Sequence, residues 1–208
     1  MFVKVTNGTA VRYTLGLLRR ENPNVSFPKE IPEETLREYG VYPLNDTPPP
    51  QYNTVTQNIQ ETFTESNGAW YRTWSVIDKP AEEAEPLLLQ KIASDRYLKE
   101  SEGLVWTDSQ NEQWFIDTTT ESQNRIANVL VAIQQGKRAD NGVWKCAKIV
   151  GETTTLTFRP TTNAELITIG ELVHDHVQKC FDAEAAASAK VLGGDYNVSF
   201  DAEFESLE

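Results

Sequence analysis

Ser66-Asn67-Gly68 lies between two stretches that alternate with period two, Ile59, Glu61 and Phe63 before it and Trp70, Arg72, Trp74 and Val76 after it. Asn-Gly accepts the positive φ angles of a type I′ turn, whose twist matches that of two flanking strands. The pattern predicts a β-hairpin between Thr54 and Ile77. Two further hairpins follow the same logic. Leu104 to Thr107 and Gln113 to Asp117 flank the polar stretch Asp108 to Glu112, and Val143 to Val150 and Thr153 to Phe158 surround Gly151-Glu152. In the last of these, Trp144 and Cys146 share one alternating face and Val143 and Lys145 the other.

Helix signals occupy the spaces between hairpins. Near the start, Phe2, Val3 and Val5 fit a short strand before an Asn7-Gly8 turn, and Leu15, Leu17 and Leu18 cluster on one side of a helix stopped by Pro23. Pro32 and Gly40 bracket a second short helix, Glu33 to Tyr39, with Pro32 expected at its first position. Val41 to Leu44 reads as extended, and Pro48-Pro49-Pro50 as an edge or rigid connector. A third helix from Pro80 to about Gly103 carries a weak apolar face and reads as an exposed connector. Thr120-Glu121-Ser122-Gln123 and Thr162-Asn163-Ala164-Glu165 both match the capping box. The first precedes Ile126, Val129, Leu130 and Ile133; the second precedes Leu166, Ile169, Val173, Val177, Cys180 and Phe181. Gly193-Gly194 ends the second helix, and Tyr196 to Phe200 alternates like a final strand before a frayed acidic end.

The expected architecture is α+β, in two small modules of β-hairpins packed against short capped helices. Residues 1–80 form an N-terminal module, 81–103 a connector helix and 104–208 a C-terminal module.

Reactive residues form no set. His174 and His176 stand two apart, so on a helix they point about 200° apart and cannot share a metal; His176 is assigned a surface or capping role. Cys146 and Cys180 read as reduced apolar fillers, although the sequence leaves a bridge between them open. No nucleophile elbow and no phosphate-cradling glycine loop is present. Catalytic, cofactor-binding and metal residues are therefore all assigned as none. The net charge of -12 disfavours nucleic acid and anionic membranes. With no apolar run of about 18 residues and no signal peptide, neither membrane insertion nor export is expected.

The five tryptophans all fall on expected strands. Large rings on small sheets fill cores, yet a strand has two faces and can offer one to a partner. Trp70 and Trp74 share one face and Tyr71 takes the other. Trp70, Tyr71, Trp74, Trp106 and Trp114 are the candidate interface residues.

Two stretches carry a resemblance. Tyr13 to Pro28 (YTLGLLRRENPNVSFP), with Leu36, Tyr39-Gly40-Val41-Tyr42-Pro43, Gly68-Ala69-Trp70 and Trp74, resembles a short module common in tailed-phage genes near the tail-fibre genes. From Ile92 onward, Trp114-Phe115-Ile116-Asp117, Ser122-Gln123, Trp144, Ala164-Glu165-Leu166 and His176-Val177 make the chain similar to DUF4376, a C-terminal phage tail domain family. The resemblance implies a non-enzymatic structural part of a bacteriophage tail: baseplate, fibre or fibre attachment. Its partners would be other tail proteins and further copies of itself. It would be made in the bacterial host cytoplasm and end in the virion tail. A tail-fibre assembly chaperone is the alternative, and a cell-envelope hydrolase the third reading.

Overall fold

The computed structural model describes residues 1–207. Among them, six helices and nine strands in two sheets give an α+β chain that divides into two units after Ala84.

In the N-terminal unit, β1 (Phe2–Thr6) turns through Asn7 and Gly8, at φ 52° and 79°, into β2 (Thr9–Tyr13). β2 pairs with β1 at all five positions, from Thr6↔Thr9 to Phe2↔Tyr13. Thr14 caps α1 (Leu15–Glu21), its hydroxyl accepting from the Leu17 N–H at 3.2 Å. For α2 (Glu33–Glu38), Pro32 is the N-cap and not the first helical residue. Gly40 ends α2 at φ 68°, where a Cβ would lie 2.9 Å from the Val5 carbonyl.

β3 (Val41–Asn45) follows, and then β4 (Gln57–Ser66) and β5 (Ala69–Asp78) form the expected hairpin, in register from Ser66↔Ala69 to Gln57↔Asp78. β3 joins the two hairpins, antiparallel to β1 and parallel to β5, giving the order β2-β1-β3-β5-β4. In a flat sheet β2 and β4 would lie about 19 Å apart. Arg12 on β2 nevertheless donates to Glu61 on β4 at 2.5 Å, so the sheet curls until its edges meet. One face packs Tyr13 and Val41 against Leu18 and Leu36 of the two helices.

The C-terminal unit holds most of α3 (Ala81–Ser101), then β6 (Leu104–Thr107), β7 (Gln113–Ile116) and α4 (Thr120–Gln134). β8 (Gly142–Val150), β9 (Thr153–Thr161), α5 (Asn163–Leu192) and α6 (Phe200–Ser206) complete it. Its sheet runs β6-β7-β8-β9, antiparallel throughout. Trp106, Trp114 and Ile116 on one face of the sheet pack with Ile126 of α4 and Leu166, Ile169 and Val173 of α5. Gly170 allows the close approach, since a Cβ there would meet Leu130 at 2.5 Å.

Four further expectations change. α3 is not an exposed connector: Ala84, Leu88 and Ile92 form a buried stripe at i, i+4 and i+8. Exposed Leu87, Tyr97 and Leu98 dilute its amphipathic signal. The Thr120 capping box does not form, because the helix starts one residue earlier, with Thr119 as N-cap and no side-chain cap bond. Asp117 does that work instead, accepting from the Thr119 N–H at 2.9 Å and the Ser122 hydroxyl at 2.7 Å. Gln123, the intended box partner, donates to Glu100 and to the Thr118 carbonyl. The tail is a helix and not a strand: Ser199 caps it, Phe200 is fully buried, and Lys190 of α5 pairs with Glu203 at 2.5 Å. His176, assigned to the surface, is buried and donates from Nε2 to the Lys99 carbonyl at 2.9 Å. That bond ties α5 to the end of α3.

No helix among the described residues is long and apolar enough to cross a membrane.

Candidate interaction surfaces

The register of β5 places Trp70, Arg72 and Trp74 on the inner face of the curled sheet and Tyr71 on the opposite face. Each tryptophan there is already engaged. The Trp74 indole donates to the Thr47 carbonyl at 2.9 Å, and its ring lies 4.5 Å from the Arg72 guanidinium. Trp70 packs on Tyr42 with ring centroids 6.0 Å apart. Arg72 is buried, paired with Asp46 and with Glu61, while its Nε has no partner. Tyr71 alone of the five candidates is exposed, beside the Thr62 and Thr73 hydroxyls 2.7 Å apart.

Trp106 and Trp114 leave the candidate interface. They are 9% and 4% exposed, in the core of the C-terminal unit. Alternation placed them on strands correctly, but the helices α4 and α5 claim the face on which they stand.

The face of the C-terminal sheet that α4 and α5 cover also holds an electrostatic network. Asp108 Oδ1 accepts from the Gln110 and Glu112 amides, and Oδ2 from the Trp114 indole and Arg159, each at 2.9 Å. Burial pushes the Asp108 carboxyl up, but these four donors outweigh it and hold it down at about 2. Arg159 stacks 4.6 Å from the Trp114 ring and also pairs with Glu165, the residue that closes the Thr162 capping box. One chain of bonds thus links the β6–β7 turn, β9 and the start of α5. Burial likewise opposes, and hydrogen bonding and charge overcome, in Asp117 and Glu165, both of which are lowered. Asp108 and Glu165 are paired with Arg159, and Asp117 is held by amide and hydroxyl donors; a proton donor at neutral pH needs the opposite shift. Cys146 and Cys180 are free, and burial pushes both thiols up, Cys180 to about 11, so neither is an activated nucleophile.

Two concavities lie in this unit. A groove of about 810 Å³ runs between α4 and α5 over Ile126, Leu130 and Val177, with His174 on its rim. A cleft of about 400 Å³ opens where β7 parts from β8, after their two paired positions. Cys146 and Trp144 line it beside Asp117 and Lys145. Among the described residues no group of three or more His, Cys, Asp or Glu could hold a metal ion.

The outer face of the C-terminal sheet is the opposite of the inner one. Val105, Val143, Leu156 and Phe158 stand there 59%, 69%, 67% and 71% exposed, with Lys145 as their charged neighbour. An apolar group of this kind on a folded domain marks an interaction surface more often than scattered single residues do. Its signal in the sequence is the alternation of Val143 and Lys145 against Trp144 and Cys146, which does not reveal which face is exposed.

Comparison with curated proteins and with solved structures finds no match. A family model described as a domain of unknown function (DUF4376) matches residues 83–205, which takes in all but the first two residues of α3, the whole second sheet and helices α4 and α5. That match covers more than half of the chain, and the chain belongs to the DUF4376 family.

Proposed function

We propose that this chain is a non-enzymatic assembly protein that works through protein–protein contacts, as a structural component of a bacteriophage tail. The observation that carries the contact-based reading is the uncovered apolar outer face of the C-terminal sheet, built from Val105, Val143, Leu156 and Phe158. Leaving four such side chains in water forgoes about 1.5–3 kcal/mol each relative to burial, which a docked partner would recover. The phage setting rests on the sequence resemblance of the two stretches quoted above. In this reading the protein is made in the host cytoplasm and joins a baseplate, a fibre or a fibre attachment point. The acidic surface, at a net charge of -12, favours a basic or polar neighbouring patch.

Mass spectrometry of purified virions tests the reading. Stoichiometric presence is the expected result. Absence from particles, with the protein recovered on free fibres, would move it to the fibre-assembly chaperone. Hydrolysis of cell-wall glycan or peptide, abolished by one carboxylate substitution, would overturn both.

A further inference from the structure

We infer that two copies of this chain pair edge to edge through β9, antiparallel, about a twofold axis at Leu156. The inference deepens the assembly reading and rests on it, by naming a second copy as the first partner.

The hairpin geometry determines which groups are free. Gly151 at φ 60° and Glu152 form a two-residue turn that closes the pair Val150↔Thr153. In such a hairpin the pair next to the turn exchanges both backbone bonds, and bonded and unbonded pairs then alternate. Thr153, Thr155, Thr157, Arg159 and Thr161 therefore point their amides and carbonyls at β8. Thr154, Leu156, Phe158 and Pro160 point theirs away. Pro160 checks the assignment independently, since proline is tolerated only where the strand needs no N–H. β9 is the last strand of its sheet, so these outward groups have no strand beside them.

Natural edge strands are usually blunted with charge, bulges or brevity. β9 runs for nine residues, and Thr153 to Phe158 contains no ionisable side chain. Its one charge, Arg159, is already committed to Asp108 and Glu165. In a chain of net charge -12, this neutral strip sets no like charges directly against each other where two copies meet. The other edges are poorer. β6 has four residues, and β2 has five with Arg12 on its outward side. β4 would set Glu61 against its own copy by the same alternation, and Glu61 is already bonded to Arg12.

The outward groups are self-complementary in one register. Leu156 faces Leu156 of the other copy, Thr154 faces Phe158 and Phe158 faces Thr154, making about six backbone bonds across the axis. On the inner side Thr155 meets Thr157. No like charges oppose each other, and the two outer apolar faces merge into one across an eight-stranded sheet.

Sedimentation equilibrium of the full chain tests this. The unaltered protein is expected to be a dimer. Leu156→Pro removes an outward N–H without touching a bond to β8, so it should give a folded monomer, with dissociation shifted at least tenfold. A monomer for the unaltered chain across its soluble range would overturn the inference, as would a dimer that persists in folded Leu156→Pro. Should that variant fail to fold, oxidation decides. Leu156→Cys should link to its own copy through the introduced thiols. Thr154→Cys should not, since its counterpart lies about 14 Å away along the strand. The reverse pattern, or no link in either, overturns the inference. A monomeric result leaves virion mass spectrometry free to succeed, and absence from virions leaves the dimer standing, so the two readings fail separately.

Discussion

The inner face of the C-terminal sheet carries Trp106, Trp114, Ile116 and Trp144, while the outer face of the same four strands carries Val105, Val143, Leu156 and Phe158. Inside, polar groups are bound to one another: the Trp114 indole to Asp108, Asp108 to Arg159, Arg159 to Glu165. Outside, side chains of ordinary size stand in water. A large aromatic ring on a strand therefore does not by itself identify a partner surface. The helices α4 and α5 take the face with the largest rings and leave bare the face whose residues look unremarkable one by one.

If this division of labour holds, the largest loss of stability comes from the inner face. Trp114→Ala removes a buried ring and leaves Asp108 short of a donor, and is expected to cost on the order of 3–5 kcal/mol in urea denaturation. Phe158→Ala, opposite in exposure, should stay within about 0.5 kcal/mol. Equal losses at the two positions would contradict this division between the faces.

Asp108 makes the inner network sensitive to pH. Its carboxyl is held at about 2 in the folded chain, against an ordinary value of 3.8. A depressed value contributes stability that is complete above pH 4 and disappears as pH falls through about 2, here about 2 kcal/mol. Asp108→Asn should abolish that dependence and lower stability at neutral pH by a similar amount. Denaturation midpoints that fall equally steeply in the variant would contradict the network described.

A smaller effect separates the two capping motifs. Thr162→Ala removes a hydroxyl that accepts from the Glu165 N–H at 3.1 Å and should cost about 1 kcal/mol. Thr120→Ala removes no cap and should cost about zero, although the two tetrapeptides look alike in sequence. Equal costs would mean that the Thr120 box forms in solution.

That pair shows how far the sequence could be read. Hairpins with Asn-Gly or Gly-Glu turns, and the helix running from Thr162 to Gly193, were legible because each is specified by residues close together in the chain. The Thr120 box was outcompeted by Asp117, three residues upstream, whose two oxygens reach both Thr119 and Ser122. The burial of α3 depended on Ala84, too small to raise a hydropathy signal, and His176 found its acceptor 77 residues away. Strand pairing between β3 and β5, and the curl that brings Arg12 to Glu61, are likewise non-local. The exposed outer face was hidden for another reason: alternation shows that two faces differ and leaves open which one the helices will cover.

We propose that the outer side of the C-terminal sheet, with the β9 edge that borders it, is a surface for assembly. Amide hydrogen exchange, followed at increasing protein concentration, measures it most directly. The amides of Thr155 and Thr157 face β8 and should be protected at every concentration, whereas those of Thr154, Leu156 and Phe158 should exchange freely when dilute and become protected as copies associate. Free exchange of all three at every concentration would contradict the claim.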